Sequence, residues 1–204
     1  MNTKTLLRML ILFLTASAGA LSARAHSSVP VSTPTSGGHN LYLPVTLRHY
    51  FLSRVLEDFE DDVHVNWWTP DPQAFQYSKT SQRAQSGTHS FKVDYSKSST
   101  YQFIGADPIS PQLADFRGVQ SLDMWVYGQV SLLLKLEGRD YQQVEAGVLN
   151  ASDPQGWSLL QFDLSGLADQ IDLSRVKLLF FPAPGDATAS GTFYLDDLMV
   201  RGDS

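Results

Sequence analysis

The chain has 204 residues, with 21 acids against 15 Lys and Arg, a formal charge of −6, and no Cys. The acidic balance disfavours nucleic acid and anionic membrane as partners. The lack of Cys excludes disulfide frameworks, thiol nucleophiles and lipid-modified cysteine anchors.

At the start, Lys4 and Arg8 precede an apolar run from Met9 to Leu14, and small residues follow through Ala25. This pattern predicts a secretory signal peptide over residues 1–25, and the run is too short to span a bilayer. Two small-x-small sites compete for cleavage, Ala18-Gly19-Ala20 and Ala23-Arg24-Ala25, and the second ends the small-residue tract. Cleavage there removes Lys4, Arg8 and Arg24 and no acid, making the mature chain more negative still. The expected location is secreted or extracellular, with cell-surface association and the periplasm both compatible.

Residues 26–55 follow as a linker region. His26 to Asn40 is rich in Ser, Pro, Thr and Gly and cannot bury a core, which predicts a flexible linker. Leu41 to Arg48 is a short apolar patch that either packs on the main domain or serves surface attachment.

Residues 56–200 form a segment long enough for one core. Apolar residues alternate along it: Leu122, Met124, Val126; then Leu132, Leu134, Leu136; then Leu160, Phe162, Leu164; then Val176, Leu178, Phe180. Period two repeated this often predicts half-buried strands. Turn formers separate them at Ser86-Gly87, Tyr127-Gly128, Glu137-Gly138, Asp153-Pro154-Gln155-Gly156 and Pro184-Gly185-Asp186. The expected fold is an all-β antiparallel sandwich with at most a helical turn near Ser165 to Gln170. Residues 201–204 read as a C-terminal tail.

Acidic aromatic segments bracket this domain, Leu56-Glu57-Asp58-Phe59-Glu60 and Phe193-Tyr194-Leu195-Asp196-Asp197-Leu198, which suggests that the first and last strands meet. Carboxylates gathered at one sheet edge repel unless a cation or backbone donors satisfy them, and hard oxygen ligands suit calcium. The opposing reading is a solvated turn at Asp58, Asp61 and Asp62, with Asp197 facing water.

Glu57 to Glu60, Ser86-Gly87 with Ser90-Phe91-Lys92-Val93, Leu122 to Val126, Trp157 before an alternating strand, and Phe193 to Leu198 occur in an order that resembles jelly-roll carbohydrate-binding modules of the family-eleven type. The same frame recurs across galactose-binding-like domains. The resemblance implies a structural calcium held by the Glu60 and Asp196 side chains and by backbone carbonyls at Ser86 and Gly87. It also implies a non-catalytic protein that binds a polysaccharide such as a β-glucan, working beside a separately encoded glycoside hydrolase. A module of the same fold that meets protein, or has a structural role, is the alternative.

Sugar binding needs flat aromatic faces and polar groups that replace water around hydroxyls. Tyr101 and Phe103 occupy a segment that matches a ligand-facing strand of the family, and Trp67 and Trp68 follow the first strand. Lys135 and Glu137 alternate away from Leu132, Leu134 and Leu136, with Arg139, Asp140 and Tyr141 in the adjoining turn. These nine residues are the candidate ligand contacts; Trp125 and Trp157 fall at framework positions of the family pattern.

No carboxylate spacing identifies a glycosidase pair, and there is no Gly-x-Ser-x-Gly elbow, phosphate loop or His pair at metal-ligand spacing. His26 as a mature N-terminus is similar to the copper-binding terminus of lytic polysaccharide monooxygenases, but a flexible linker behind it makes this a coincidence. Arg201-Gly202-Asp203-Ser204 matches an integrin-recognition tetrapeptide, which reads as chance in a terminal tail. Asn150-Ala151-Ser152 fits a glycan acceptor and carries no functional expectation.

Overall fold

A computed structural model describes residues 51–60 and 62–203. The predicted signal peptide, His26, the linker to Asn40, the Leu41 to Arg48 patch, Asp61 and Ser204 lie outside the described residues.

Eleven strands and one short helix make two antiparallel sheets. In chain order they are β1 (Phe51–Glu57), β2 (Val65–Trp68), β3 (Phe75–Thr80), β4 (Ser90–Lys97), β5 (Ile104–Pro108), α1 (Pro111–Ala114), β6 (Val119–Tyr127), β7 (Val130–Glu137), β8 (Gln143–Ala151), β9 (Trp157–Asp163), β10 (Lys177–Pro182) and β11 (Ala189–Asp203). The six-stranded sheet runs β3-β4-β11-β6-β9, with β1 also paired to β11. The five-stranded sheet runs β2-β5-β10-β7-β8.

Alternation explains the layering. Each of the four predicted apolar faces is buried, from Leu122 on β6 to Phe180 on β10, and together they fill the space between the sheets. Each such side chain contributes roughly 1.5–3 kcal/mol by leaving water. An aromatic group of Phe59, Trp67, Phe91 and Phe180 closes one part of this core, with Trp67 stacked on Phe91 at 4.4 Å between centroids.

The longest strand, β11, organises the six-stranded sheet. Its first half pairs with β4, from Ala189↔Lys97 to Leu195↔Phe91, and its second half pairs with β1, from Met199↔Val55 to Asp203↔Phe51. The pairing with β6 shifts register between Asp196 and Met199, where Asp197 takes a φ of 46°. First and last strands therefore meet, as the two acidic aromatic segments suggested.

Two boundaries move. Phe51 to Val55, which the sequence reading gives to the linker region, are strand residues paired with β11. Arg201, Gly202 and Asp203 are not a tail but the end of β11, and Arg201 Nε holds Asp123 Oδ2 at 2.8 Å. The Arg-Gly-Asp sequence is thereby fixed in a sheet with its arginine engaged.

The region from Ser165 to Gln170 forms turns, with Leu167 N–H donating to Leu164 O at 3.1 Å and Gln170 N–H to Leu167 O at 3.0 Å. The helix lies instead at Pro111–Ala114, which the alternation argument passed over. Ser110 caps it by accepting from Leu113 N–H at 3.1 Å, and Pro111 opens it where no N–H is needed. No helix among the described residues is long and apolar enough to cross a membrane.

Gly202 sits so close to the backbone of Gly118 and Val119 that a Cβ would overlap it. Gly202→Ala is expected to destabilise the domain by about 1–3 kcal/mol, read as a lower urea midpoint with an unchanged slope. An unshifted midpoint would contradict this packing.

Candidate functional site

The outward positions of the five-stranded sheet form one continuous surface. On β7 the burial alternates, with Val130, Leu132, Leu134 and Leu136 buried and Ser131, Leu133, Lys135 and Glu137 turned the other way. Register then fixes the neighbours: Trp68, Gly105, Leu179, Lys135 and Glu145 stand in one row across all five strands. Phe181, Leu133 and Val148 make the adjacent row on one side, and Lys177, Glu137 and Gln143 the row on the other.

Gly105 gives this face its shape. A Cβ there would overlap the Trp68 indole, so the absent side chain lets the ring lie across the strand. Phe103 meets Trp68 edge-on at 5.5 Å and packs on Phe181 at 4.9 Å, which makes a two-ring aromatic patch seated on a third ring. Leu179 is 0% exposed and Phe181 7% exposed, although both point away from the core and stand apart from its cluster. They form the floor beneath the patch.

Polar groups border that floor in fixed pairs. Lys135 Nζ holds Glu145 Oε1 at 2.8 Å and lies 5.4 Å from the Phe181 ring centroid. Lys177 Nζ holds Glu137 Oε1 at 3.1 Å, and Gln143 Nε2 donates to Glu137 Oε2 at 3.0 Å. Arg139, Asp140 and Tyr141 lie in the turn that follows β7, closed by Gly138 N–H to Gln142 O at 2.9 Å. Tyr141 adopts a φ of 64° and is 78% exposed.

Most of the sequence-derived candidates converge on this face or its rim: Trp68, Phe103, Lys135 and Glu137 on the sheet, Arg139, Asp140 and Tyr141 at one end. Tyr101 stands at the rim in the turn before β5, 83% exposed, its chain held by Gln102 Oε1 accepting from Ser98 and Ser99 N–H at 2.7 and 3.1 Å. Trp67 does not join them. As the neighbour of Trp68 in a strand it points to the opposite side, and it stacks in the core on Phe91 and Phe180. Sequence reasoning missed Gly105, Glu145, Lys177, Leu179 and Phe181. The unbroken apolar run Leu178-Leu179-Phe180-Phe181 was the available signal, since it marks a strand covered on both faces.

The outer face of the six-stranded sheet also carries aromatics, half-buried at Tyr127 and Trp157 and buried at Tyr194, and these pack on one another and under an arginine. Tyr127 contacts Trp157 at 5.5 Å and Tyr194 at 5.8 Å, and Arg83 lies 4.2 Å above the Tyr127 ring centroid. Tyr194 Oη donates to Gln82 Oε1 at 3.2 Å. A cavity of about 420 Å³ opens elsewhere on this sheet, lined by polar side chains including Gln161, Asp163, Ser165 and Arg201, with no aromatic wall. We place the candidate site on the five-stranded sheet, because there half-buried rings, the exposed Tyr101 and Tyr141 at the rim and paired Lys and Glu side chains share one surface.

The loop that carries Gln82 and Arg83 is gripped by two carboxylates. Asp196 Oδ2 accepts from Gln85 N–H at 2.7 Å and Ser86 N–H at 3.3 Å, and Ser86 Oγ donates to Asp197 Oδ1 at 2.9 Å. Glu60 Oε1 accepts from Thr88 N–H at 2.8 Å and His89 N–H at 2.7 Å, while Thr88 Oγ1 donates to Glu60 Oε2 at 2.8 Å. Gly87 has a φ of 60°, and a Cβ there would overlap the Glu60 carboxylate.

No family model matches the sequence, and no curated protein matches it. Solved structures do. A family 11 carbohydrate-binding module from Clostridium thermocellum, in complex with a β-1,3-1,4-mixed-linked tetrasaccharide, aligns with a TM-score of 0.50 at 13% identity over 74% of this chain and 95% of that one. A family 22 xylan-binding domain from Paenibacillus barcinonensis gives 0.53 at 16% identity over 76% and 95%. A family 29 module complexed with mannohexaose gives 0.53 at 14% over 74% and 92%.

The chain has the jelly-roll fold of these modules.

The calcium expectation for this jelly roll can be tested against the donors present. Calcium is held by oxygen atoms, whereas the Glu60 and Asp196 oxygens face N–H and O–H groups of the loop. Ser86 enters through its N–H and hydroxyl, and Gly87 through its missing side chain. These contacts form a carboxylate clamp on peptide donors at the two acids to which the resemblance assigns calcium. Among the described residues, Glu57, Asp58 and His64 bring one ligand atom each within 4.8 Å of one another. Glu57 is itself taken up by Phe59, His64 and Val65 N–H, each at 3.1 Å.

The donors also set the titration. The peptide N–H groups of His89 and Thr88 hold Glu60 down to about 2. Burial pushes Asp196 upward, against the pull of the Gln85 and Ser86 N–H bonds. A lowered carboxyl contributes stability that is complete above its unfolded value of 4.5 and is lost as pH falls toward about 2. The raised Asp196 works in the opposite sense, favouring the fold as it protonates. The melting-temperature difference between wild type and Glu60→Gln is therefore expected to be largest near neutral pH and to vanish near pH 2, with no response of either protein to a chelator. A melting temperature that rises with millimolar calcium in wild type but not in Glu60→Gln would contradict the peptide clamp.

Proposed function

We propose that this protein is a non-catalytic carbohydrate-binding module that holds a polysaccharide on the outer face of its five-stranded sheet. The observation that carries the reading is the Trp68 and Phe103 patch laid over Gly105 and Phe181 and bordered by paired Lys and Glu side chains. A pyranose offers a C–H face to rings and hydroxyls to charged groups, and this surface supplies both. Tyr101 and Tyr141 extend it at the rim.

The carboxylates on the face support binding rather than hydrolysis. Glycoside hydrolysis needs one carboxyl free to donate a proton and another free to attack or to activate water. Glu137 and Glu145 are each committed to a lysine.

Fold alone does not choose the sugar. The three solved neighbours are described with a mixed-linked glucan, as xylan-binding, and with a mannan fragment, on one architecture. A β-glucan is the first polymer to try. The reading includes export through the signal peptide and action beside a separately encoded glycoside hydrolase, outside the cell or at its surface.

Affinity electrophoresis on soluble β-glucan, xylan and mannan, followed by calorimetry on the best polymer, tests it. Trp68→Ala is expected to weaken binding about tenfold while the protein still melts cooperatively, since a stacked ring contributes about 0.5–1.5 kcal/mol. Tyr127→Ala, on the other sheet, should bind as wild type. Full affinity in both Trp68→Ala and Tyr101→Ala would remove the stacking assignment. No binding to any polymer by folded protein would favour a structural or protein-binding module.

A further inference from the structure

Among the described residues of this acidic chain, cations are almost all engaged. Arg54 donates to the carbonyls of Gln112 and Asp115, Arg83 covers Tyr127, and Arg117 and Arg201 pair with Asp115 and Asp123. Lys79, Lys92, Lys97, Lys135 and Lys177 each hold an oxygen, of Glu60, Asp94, Pro182, Glu145 and Glu137 respectively. Among the described residues, the exceptions are Arg139 and Arg175, and these two line the same two clefts. One, of about 290 Å³, is shared with Gly138, Tyr141 and Lys177; the other, of about 280 Å³, is shared with Ile109, Ser110 and Ser174.

The surrounding acids are already spent. Asp172 is held below its ordinary value by the Ser174 hydrogen bonds first, then by the fields of Arg139 and Arg117. Asp140 Oδ1 accepts from Gln142 N–H at 3.3 Å, and Glu137 is divided between Lys177 and Gln143. Two guanidinium groups thus stay without a hydrogen-bonded carboxylate, Arg139 feeling Asp172 only through its field, where an exposed ring, Tyr141, stands with Lys177 Nζ 5.6 Å from its centroid. This is the end of the proposed sugar face, one step beyond the Lys177, Glu137 and Gln143 row.

A planar guanidinium matches a carboxylate with two parallel hydrogen bonds. We infer that this end of the face takes an acidic polysaccharide: the carboxylate of a uronic acid unit docks at Arg139 and Arg175 while its ring lies against Tyr141. The inference rests on the proposed function and adds the class of sugar to it.

The test is calorimetry with three polymers at low and high salt: a glucuronate-bearing xylan, the same polymer with its carboxyls reduced to alcohols, and a sulfated polysaccharide. The acidic xylan is expected to bind about tenfold more tightly than its reduced form, an advantage that shrinks with salt. In Arg175→Ala that advantage should fall to a few-fold at most, leaving affinity for the reduced polymer unchanged; the side chain is exposed, so folding is preserved. Equal affinity for acidic and reduced polymers, with binding still lost in Trp68→Ala, would overturn the inference and leave the module reading standing. A sulfated chain that binds more tightly with the same arginine dependence would overturn the uronate assignment in favour of a sulfate ester. Failure of folded wild type to bind any of the three would overturn the inference, and failure on β-glucan and mannan as well would overturn the module reading with it.

Discussion

A carboxylate buried in the middle of a sheet must find donors or lose its charge, and that constraint governs this fold. Asp196 is 0% exposed on β11, at the point where the strand bulges and exchanges β4 for β1 as its partner. Its donors come from the chain between β3 and β4, whose Gln85 and Ser86 N–H groups reach it. Glu60, just after β1, takes the Thr88 and His89 N–H groups of the same segment. One loop therefore ties the first strand to the last and satisfies the acids that both bring to the edge.

That loop sets the two outer surfaces apart. Pinned at Gln85 to His89, it lays Arg83 over Tyr127 and Tyr194 and sets Gln82 against the Tyr194 hydroxyl. The aromatics of the six-stranded sheet become packing. On the five-stranded sheet the corresponding device is local: Gly105 gives up its side chain so that Trp68 can lie flat, and Leu179 and Phe181 are covered from above. Rings on the two outer faces are half-buried to a similar degree; what sets the six-stranded sheet apart is the guanidinium that the clamped loop lays over its rings, whereas the five-stranded sheet borders its rings with Lys and Glu pairs.

Much of the architecture was legible in the sequence because period two is a direct consequence of strand geometry. The faces of Leu122 to Val126, Leu132 to Leu136, Leu160 to Leu164 and Val176 to Phe180 are all buried, and Lys135 and Glu137 turn outward with the predicted parity. Parity also misled where it was not applied: Trp67 and Trp68 are adjacent in a strand and must face opposite ways, so only one could reach a ligand. Leu179 and Phe181 were hidden because an apolar residue on an outer face is indistinguishable by type from a core residue. The pairing of carboxylates with N–H donors at Glu60 and Asp196 depends on contacts across more than a hundred residues for Asp196, which no local pattern encodes. Arg175 likewise becomes notable only when the fold sets it beside Arg139 in the same two clefts.

The central claim is that sugar lies on the outer face of the five-stranded sheet. Amide chemical-shift mapping of the labelled protein during titration with a soluble oligosaccharide that binds it tests this most directly. The account requires the largest shifts at Trp68, Gly105, Leu179 and Lys135, with little change at Tyr127, Trp157 and Tyr194. Shifts concentrated on those last three residues would contradict it.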